Sequence, residues 1–203
     1  MTTQNPNAQI DDSACSKLSE TFSDGGNCIV STQLSREQFL AEEDSKMRSL
    51  IELYQDHCVD GQIPSTDAIP PEKIASTRMM SRTHCLRIDH STNTFRFAVW
   101  ADGANFDGFL SLQNATFEDL SQYSVMADAL KSQLTTILER NGPAFFEMRG
   151  VLNDRFYFFT KAILPLRSEQ GEIVKCLVPF TDKLPDIPAD LREKFCLGDV
   201  NQK

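Results

Sequence analysis

The stretch "HCLRIDHSTNTFRFAVWA", from His84 to Ala101, decides the predicted fold. Apolar and polar residues alternate in both of its halves, which is the pattern of strands with one buried face. The polar triplet at 91–93 is typical of a tight reversal. We therefore predict a β-hairpin. One face of this hairpin carries five apolar residues: Leu86, Ile88, Phe95, Phe97 and Val99.

The two histidines of this stretch do not predict a metal site. His84 and His90 lie at the two ends of the first strand, so they face the same side at a separation of roughly 20 Å. One ion cannot bind both, because zinc–nitrogen bonds are only about 2 Å long. We interpret them as strand-end residues and predict no metal.

The N-terminal part of the chain predicts a tail followed by a helix. Residues 1–33 are rich in Ser, Thr, Asn, Asp and Gly, a composition that buries little apolar surface and favours a flexible tail. A short paired or helical piece near "NCIVSTQL" is the alternative. Ser35 and Gln38 then have the spacing of a capping box. We expect an amphipathic helix from there to about Cys58, within a flanking segment of residues 34–62.

The C-terminal half predicts a long helix and three strands. The helix spans about 125–140, and the strands are "AFFEMRGVL", "RFYFFTKAIL" and "IVKCLVPF". Because turns rather than helices join these strands, the pattern indicates the α+β class with an antiparallel sheet. This domain occupies residues 63–182, and a C-terminal extension occupies 183–203.

The order of these elements resembles a PAS domain. Four pieces also resemble a bacterial family of single-domain PAS-like proteins of unknown activity. They cover about residues 45–180 and read "LIELYQDHCVDGQIPSTDAIPPEKI", "FRFAVWADGANFDGF", "NGPAFFEM" and "YFFTKAILPLRSEQGEIVKCLV". The resemblance implies a five-stranded antiparallel sheet in the order 2-1-5-4-3, with helices on one face around a ligand pocket. It also implies sensing or protein interaction rather than catalysis.

A pocket of this kind would lie over the apolar face of the hairpin. Asn105 and Arg149 are the polar groups that we expect to orient a ligand. The candidate ligand-binding residues are Leu86, Ile88, Phe97, Val99, Asn105, Phe106, Met126, Leu130 and Arg149. A filled core is the alternative. The long helix lacks the histidine of haem-binding PAS domains, and "NFDGFLSLQN" lacks the cysteine of flavin photoreceptors, so no cofactor is predicted.

The opposite face of the predicted sheet is also apolar. It is expected to carry Cys85, Ala98, Trp100, Tyr157, Phe159, Ile163, Val174, Cys176 and Val178. A face open to water would be polar, so we expect the helix that ends near Cys58 to cover it. That helix comes either from the same chain or from the partner in a homodimer, which is the expected assembly.

Charge and cysteine spacing limit the partners and the compartment. The net charge of −9 disfavours nucleic acid as a partner. No apolar run approaches the roughly 18–20 residues of a membrane helix, and the N-terminus lacks the pattern of a signal peptide. The six cysteines include no CxxC pair, which favours free thiols in a cytoplasmic protein.

These observations lead to one functional hypothesis and two alternatives. The first is a sensory or interaction module that binds a small ligand and signals through an unidentified partner protein. The second is a small cone-shaped α+β isomerase, with Glu147 or Asp128 as a buried carboxylate and Tyr123 as a donor. The third is a purely structural dimerisation adaptor.

Overall fold

A computed structural model of the chain describes residues 18–91, 94–99, 101, 114–116, 119, 124–152 and 154–183. Its strands are β1 (Ser19–Asp24), β2 (Asn27–Leu34), β3 (Thr83–Asp89), β4 (Thr94–Val99), β5 (Ala144–Leu152), β6 (Arg155–Arg167) and β7 (Ile173–Asp182). Its α-helices are α1 (Arg36–Glu42), α2 (Ser45–Asp56), α3 (Pro71–Ser76) and α4 (Ser124–Arg140).

The strands form one sheet in the order β1-β2-β5-β6-β7-β3-β4, and all neighbours are antiparallel. The predicted five-stranded sheet in the order 2-1-5-4-3 is therefore wrong, because the sheet has seven strands. The two additional strands are β1 and β2, which lie in residues predicted as a flexible tail. Only residues 1–17 of that predicted tail, and 184–203 of the predicted extension, fall outside the described part of the chain.

The β1–β2 hairpin forms because its local sequence overrides its polar average composition. Gly25 and Gly26 both have positive φ, at 54° and 98°, and supply the turn that L-residues rarely form. In β2, Ile29 is 1% exposed and faces α4, while Val30 points to the other side. The paired glycines are the local signal that an average over 33 residues hides.

Strand β2 lies unusually close to β5 at Gly150. A Cβ atom at this position would be 2.1 Å from the carbonyl oxygen of Cys28. No side chain fits there, so the glycine allows the added hairpin to join the sheet.

Each face of the sheet packs against its own layer of helices. On the α4 face the core consists of strand residues together with Val125, Ala129, Leu130, Leu134 and Ile137. On the opposite face, which we call the α1–α3 face, it includes Phe39, Met47, Leu50, Ile51, Tyr54 and Ile74 from the helices. The chain therefore covers both of its sheet faces with its own helices.

The flanking helix is interrupted, although one continuous helix was predicted. The capping box of Ser35 and Gln38 is confirmed. Asp44 caps the N-terminus of α2, because its carboxylate accepts hydrogen bonds from the backbone N–H groups of Lys46 and Met47. Between the helices, the buried Glu43 accepts a hydrogen bond from Thr160 and lies 3.4 Å from the ammonium of Lys183. The break thus anchors the helices to the sheet.

Candidate functional site

The structure brings five of the predicted ligand-binding residues together on the α4 face. Leu86, Ile88, Phe97 and Leu130 are all less than 9% exposed and belong to one core cluster. Met126 is partly buried and packs against that cluster. These residues form an apolar wall between the β3–β4 hairpin and α4.

Val99 does not lie on this wall. The pairing of β3 with β4 shifts by one residue between Cys85 and Leu86, so Val99 pairs with Cys85 while Phe97 pairs with Leu86. A β-bulge of this kind turns the following side chain to the other face. Val99 is 45% exposed on the α1–α3 face.

Arg149 also lies on the α1–α3 face. Its guanidinium is 2.8 Å from the carboxylate of Glu147 and 4.9 Å from the ring centroid of Phe158. It therefore cannot orient a ligand on the α4 face. The other predicted polar group, Asn105, and the neighbouring Phe106 lie outside the described residues.

A buried lysine, which is not among the predicted site residues, lies on the α4 face. Lys161 lies in β6, where it pairs across the sheet with Phe146 of β5 and Phe180 of β7. It is only 5% exposed. Within the described part of the chain, no carboxylate is paired with its ammonium group. An ammonium in apolar surroundings is costly unless an anion compensates it.

His84 lies beside this lysine at the start of β3. Its ring stacks on Phe180 at 4.9 Å between centroids and meets Phe97 edge-on at 5.9 Å. The backbone N–H of Ala101 donates to its Nδ1 at 3.1 Å. A neutral imidazole that accepts at Nδ1 carries its proton on Nε2.

Burial shifts the pKa values of both groups toward the uncharged form. Removal from water lowers the pKa of the Lys161 ammonium to about 7. Removal from water, with a smaller effect of the Lys161 charge, lowers the pKa of His84 to about 3. Since His84 stays neutral near pH 7, it does not repel a proton on Lys161. It also offers no negative charge to balance one.

The faces of β6 were predicted the wrong way round, and Lys161 was not predicted as a site residue. Phe159 and Ile163 were expected on the face opposite Leu86, but they lie on the same face as Leu86, together with Cys176 and Val178. Positions 156 and 158–166 of β6 are all buried, so apolar character does not distinguish the two sides of this strand. The available signal was a single lysine inside the run "FYFFTKAILPL".

The carboxylates proposed for an isomerase are not brought together. Asp128 is exposed on α4, and Glu147 is paired with Arg149 on the other side of the sheet. Tyr123 lies outside the described residues.

Neither a metal cluster nor a membrane helix occurs in the regions that the structure describes. No group of three or more His, Cys, Asp or Glu side chains there could hold a metal ion. None of the helices there is both long and apolar enough to cross a membrane.

Comparison with known proteins gave no match: no family model matches the chain, and no curated protein or solved structure is significantly similar to it.

Proposed function

We propose that the protein is a ligand-binding sensory module, and that its ligand is a small molecule with an anionic group held by Lys161. The observation that supports this most strongly is the burial of Lys161 without a described counter-charge. Strongly perturbed ionisable groups concentrate at functional sites.

Burying an ammonium group costs free energy. Without a partner it must lose either its hydration or its proton, which is why its pKa falls to about 7. Replacing a buried charge by an apolar side chain often stabilises a protein, so a lysine here is unfavourable for stability alone. An anionic ligand would supply the missing charge.

The surroundings of Lys161 favour a ligand whose remaining atoms are apolar. Phe146 and Phe180 flank the lysine on neighbouring strands, and Leu86 and Phe97 lie on the same face. Binding pockets commonly combine such an apolar lining with a few polar groups that set orientation. His84 would be the second polar group, as a neutral hydrogen-bonding side chain.

The signalling part of this proposal rests on the sequence resemblance to PAS domains, which implies sensing or interaction. A cytoplasmic location, a homodimer and an unidentified partner protein belong to the same proposal. Catalysis is not part of it.

The ligand is tested by native mass spectrometry of the protein purified from its own host. We expect an added mass on the wild-type protein and its loss in Lys161→Met, because methionine has a similar volume and no charge. Lys131→Met is the matched control, since Lys131 is exposed on α4, and it should keep the added mass. Wild-type protein with bare polypeptide mass, or equal loading of Lys161→Met, would contradict the proposal.

A further inference from the structure

An apolar cleft lies on the α1–α3 face, on the other side of the sheet from Lys161. Its volume is about 240 Å³. Helix α3 and the 3₁₀ turn at Met80–Arg82 form one wall, and strands β3, β4, β6 and β7 form the other. Met80 and Val99, at 37% and 45% exposure, leave apolar surface open to solvent. The cleft therefore has an apolar floor that is accessible from outside.

Two cations line this cleft from adjacent strands. Arg87 of β3 pairs directly with Lys175 of β7, and both line the cleft. Arg87 also pairs on its other side with Arg96 of β4. Three cations thus follow one another across three strands.

This arrangement of charge is unfavourable without an anion. Like charges directly opposite each other destabilise a sheet, and the chain as a whole carries a net charge of −9. Arg96 has Asp119 nearby. Among the described residues, neither Arg87 nor Lys175 forms an ion pair.

We propose that this cleft binds a small amphipathic carboxylate, with its head group on Arg87 and Lys175 and its alkyl chain in the apolar cleft. A guanidinium binds a carboxylate through two parallel hydrogen bonds, and an adjacent ammonium adds a further charge-assisted bond. The chain packs against Ile69, Ile74, Leu166 and Leu177, which also line the cleft.

The volume sets the size of the ligand. A cavity of about 150 Å³ holds a benzene molecule, so 240 Å³ accommodates an alkyl chain of about eight to ten carbons. A larger partner such as a peptide helix would exceed this space. The cleft and Lys161 lie on opposite faces of the sheet, so this inference is independent of the proposed function.

The test is calorimetric titration of the full-length protein with octanoate, 1-octanol and octylamine. These probes share the chain and differ in head-group charge. Octanoate should bind at least about tenfold more tightly than octanol, since charge-assisted hydrogen bonds separate them. Octylamine should bind no better than octanol. Equal binding of octanoate and octanol, or no binding of octanoate, would overturn the proposal.

Substitutions test whether octanoate binds beside Arg87 and Lys175. Arg87→Gln should weaken octanoate about tenfold and leave octanol unchanged, while the exposed control Lys131→Gln changes neither. Val99→Asp places a carboxylate beside the cations and should block octanoate. Unchanged octanoate binding in Arg87→Gln would place the ligand elsewhere and refute the inference.

Discussion

Replacing Lys161 with methionine should remove a pH dependence of stability above pH 7. The pKa of this ammonium is about 7 in the folded protein and about 10.4 in the unfolded chain. Between these values the unfolded chain holds a proton that the folded protein has lost. The free energy of unfolding therefore rises with pH in this window. This contribution is fully present above the unfolded pKa and is lost as the pH falls through the folded one.

The size of the effect follows from the two pKa values. Their difference corresponds to about 5 kcal/mol over the whole window. Roughly 1.5 kcal/mol of this falls between about pH 7 and pH 8.5. That narrower interval is the most informative, because burial raises the pKa of the Cys85 and Cys176 thiols. Raised thiol pKa values make stability fall at higher pH and would mask the lysine.

Urea unfolding followed by circular dichroism measures this effect across the interval from about pH 7 to pH 8.5. The quantity to compare is the difference in free energy of unfolding between wild type and Lys161→Met, since groups common to both cancel. The variant should be the more stable protein at pH 7, and its advantage should shrink as the pH rises. Lys131→Met, at an exposed position, should show no such trend. A difference that is constant with pH would mean that Lys161 is solvated or paired, and the argument for a ligand would fail with it.

The other predictions concern three further buried positions. His84→Phe should remove a loss of stability in acid. The pKa of His84 is about 3 in the folded protein and about 6.5 in the unfolded chain, so the free energy of unfolding of the wild type should fall by roughly 3 kcal/mol between pH 6.5 and pH 4. An unchanged acid profile in the variant would contradict this. Gly150→Ala should destabilise by about 3 kcal/mol or more in urea unfolding, because its Cβ would meet backbone at 2.1 Å, whereas Gly142→Ala, whose nearest atom is at 3.9 Å, should have little effect. Tyr54→Phe removes the buried hydroxyl that donates to the carbonyl of Pro165 at 2.9 Å. It should lower the free energy of unfolding by about 1–3 kcal/mol, and an unchanged urea midpoint would show that water replaces the bond.

Local patterns with a single physical reading predicted their elements well. The capping box at Ser35 starts α1, and the alternation around Leu86 and Phe97 forms a hairpin. In both cases residues close in the sequence make the hydrogen bonds of the cap or of the hairpin, and the same bonds would form in the isolated segment. Such elements need no information from the rest of the chain.

The register of the long strands required information that the sequence does not carry locally. In β6, buried residues occupy both faces from Phe158 to Leu166, so either assignment of faces looks equally apolar. The choice is made by pairing with β5 and β7. This choice put Lys161 on the α4 face. The β1–β2 hairpin was missed for a different reason: the turn at Gly25 and Gly26 was hidden by the polar average composition of residues 1–33.

The β-bulge beside Cys85 places residues of one hairpin in two different sites. Without it, Val99 would continue the alternation of Phe95 and Phe97 and enter the α4 face. With it, Val99 points into the cleft that Arg87 borders. The same hairpin therefore supplies an apolar wall beside a buried lysine on one face and an apolar floor beside two cations on the other. Because the two sites share the strands β3, β4, β6 and β7 but not their side chains, a ligand on one face can affect the other only by moving these strands.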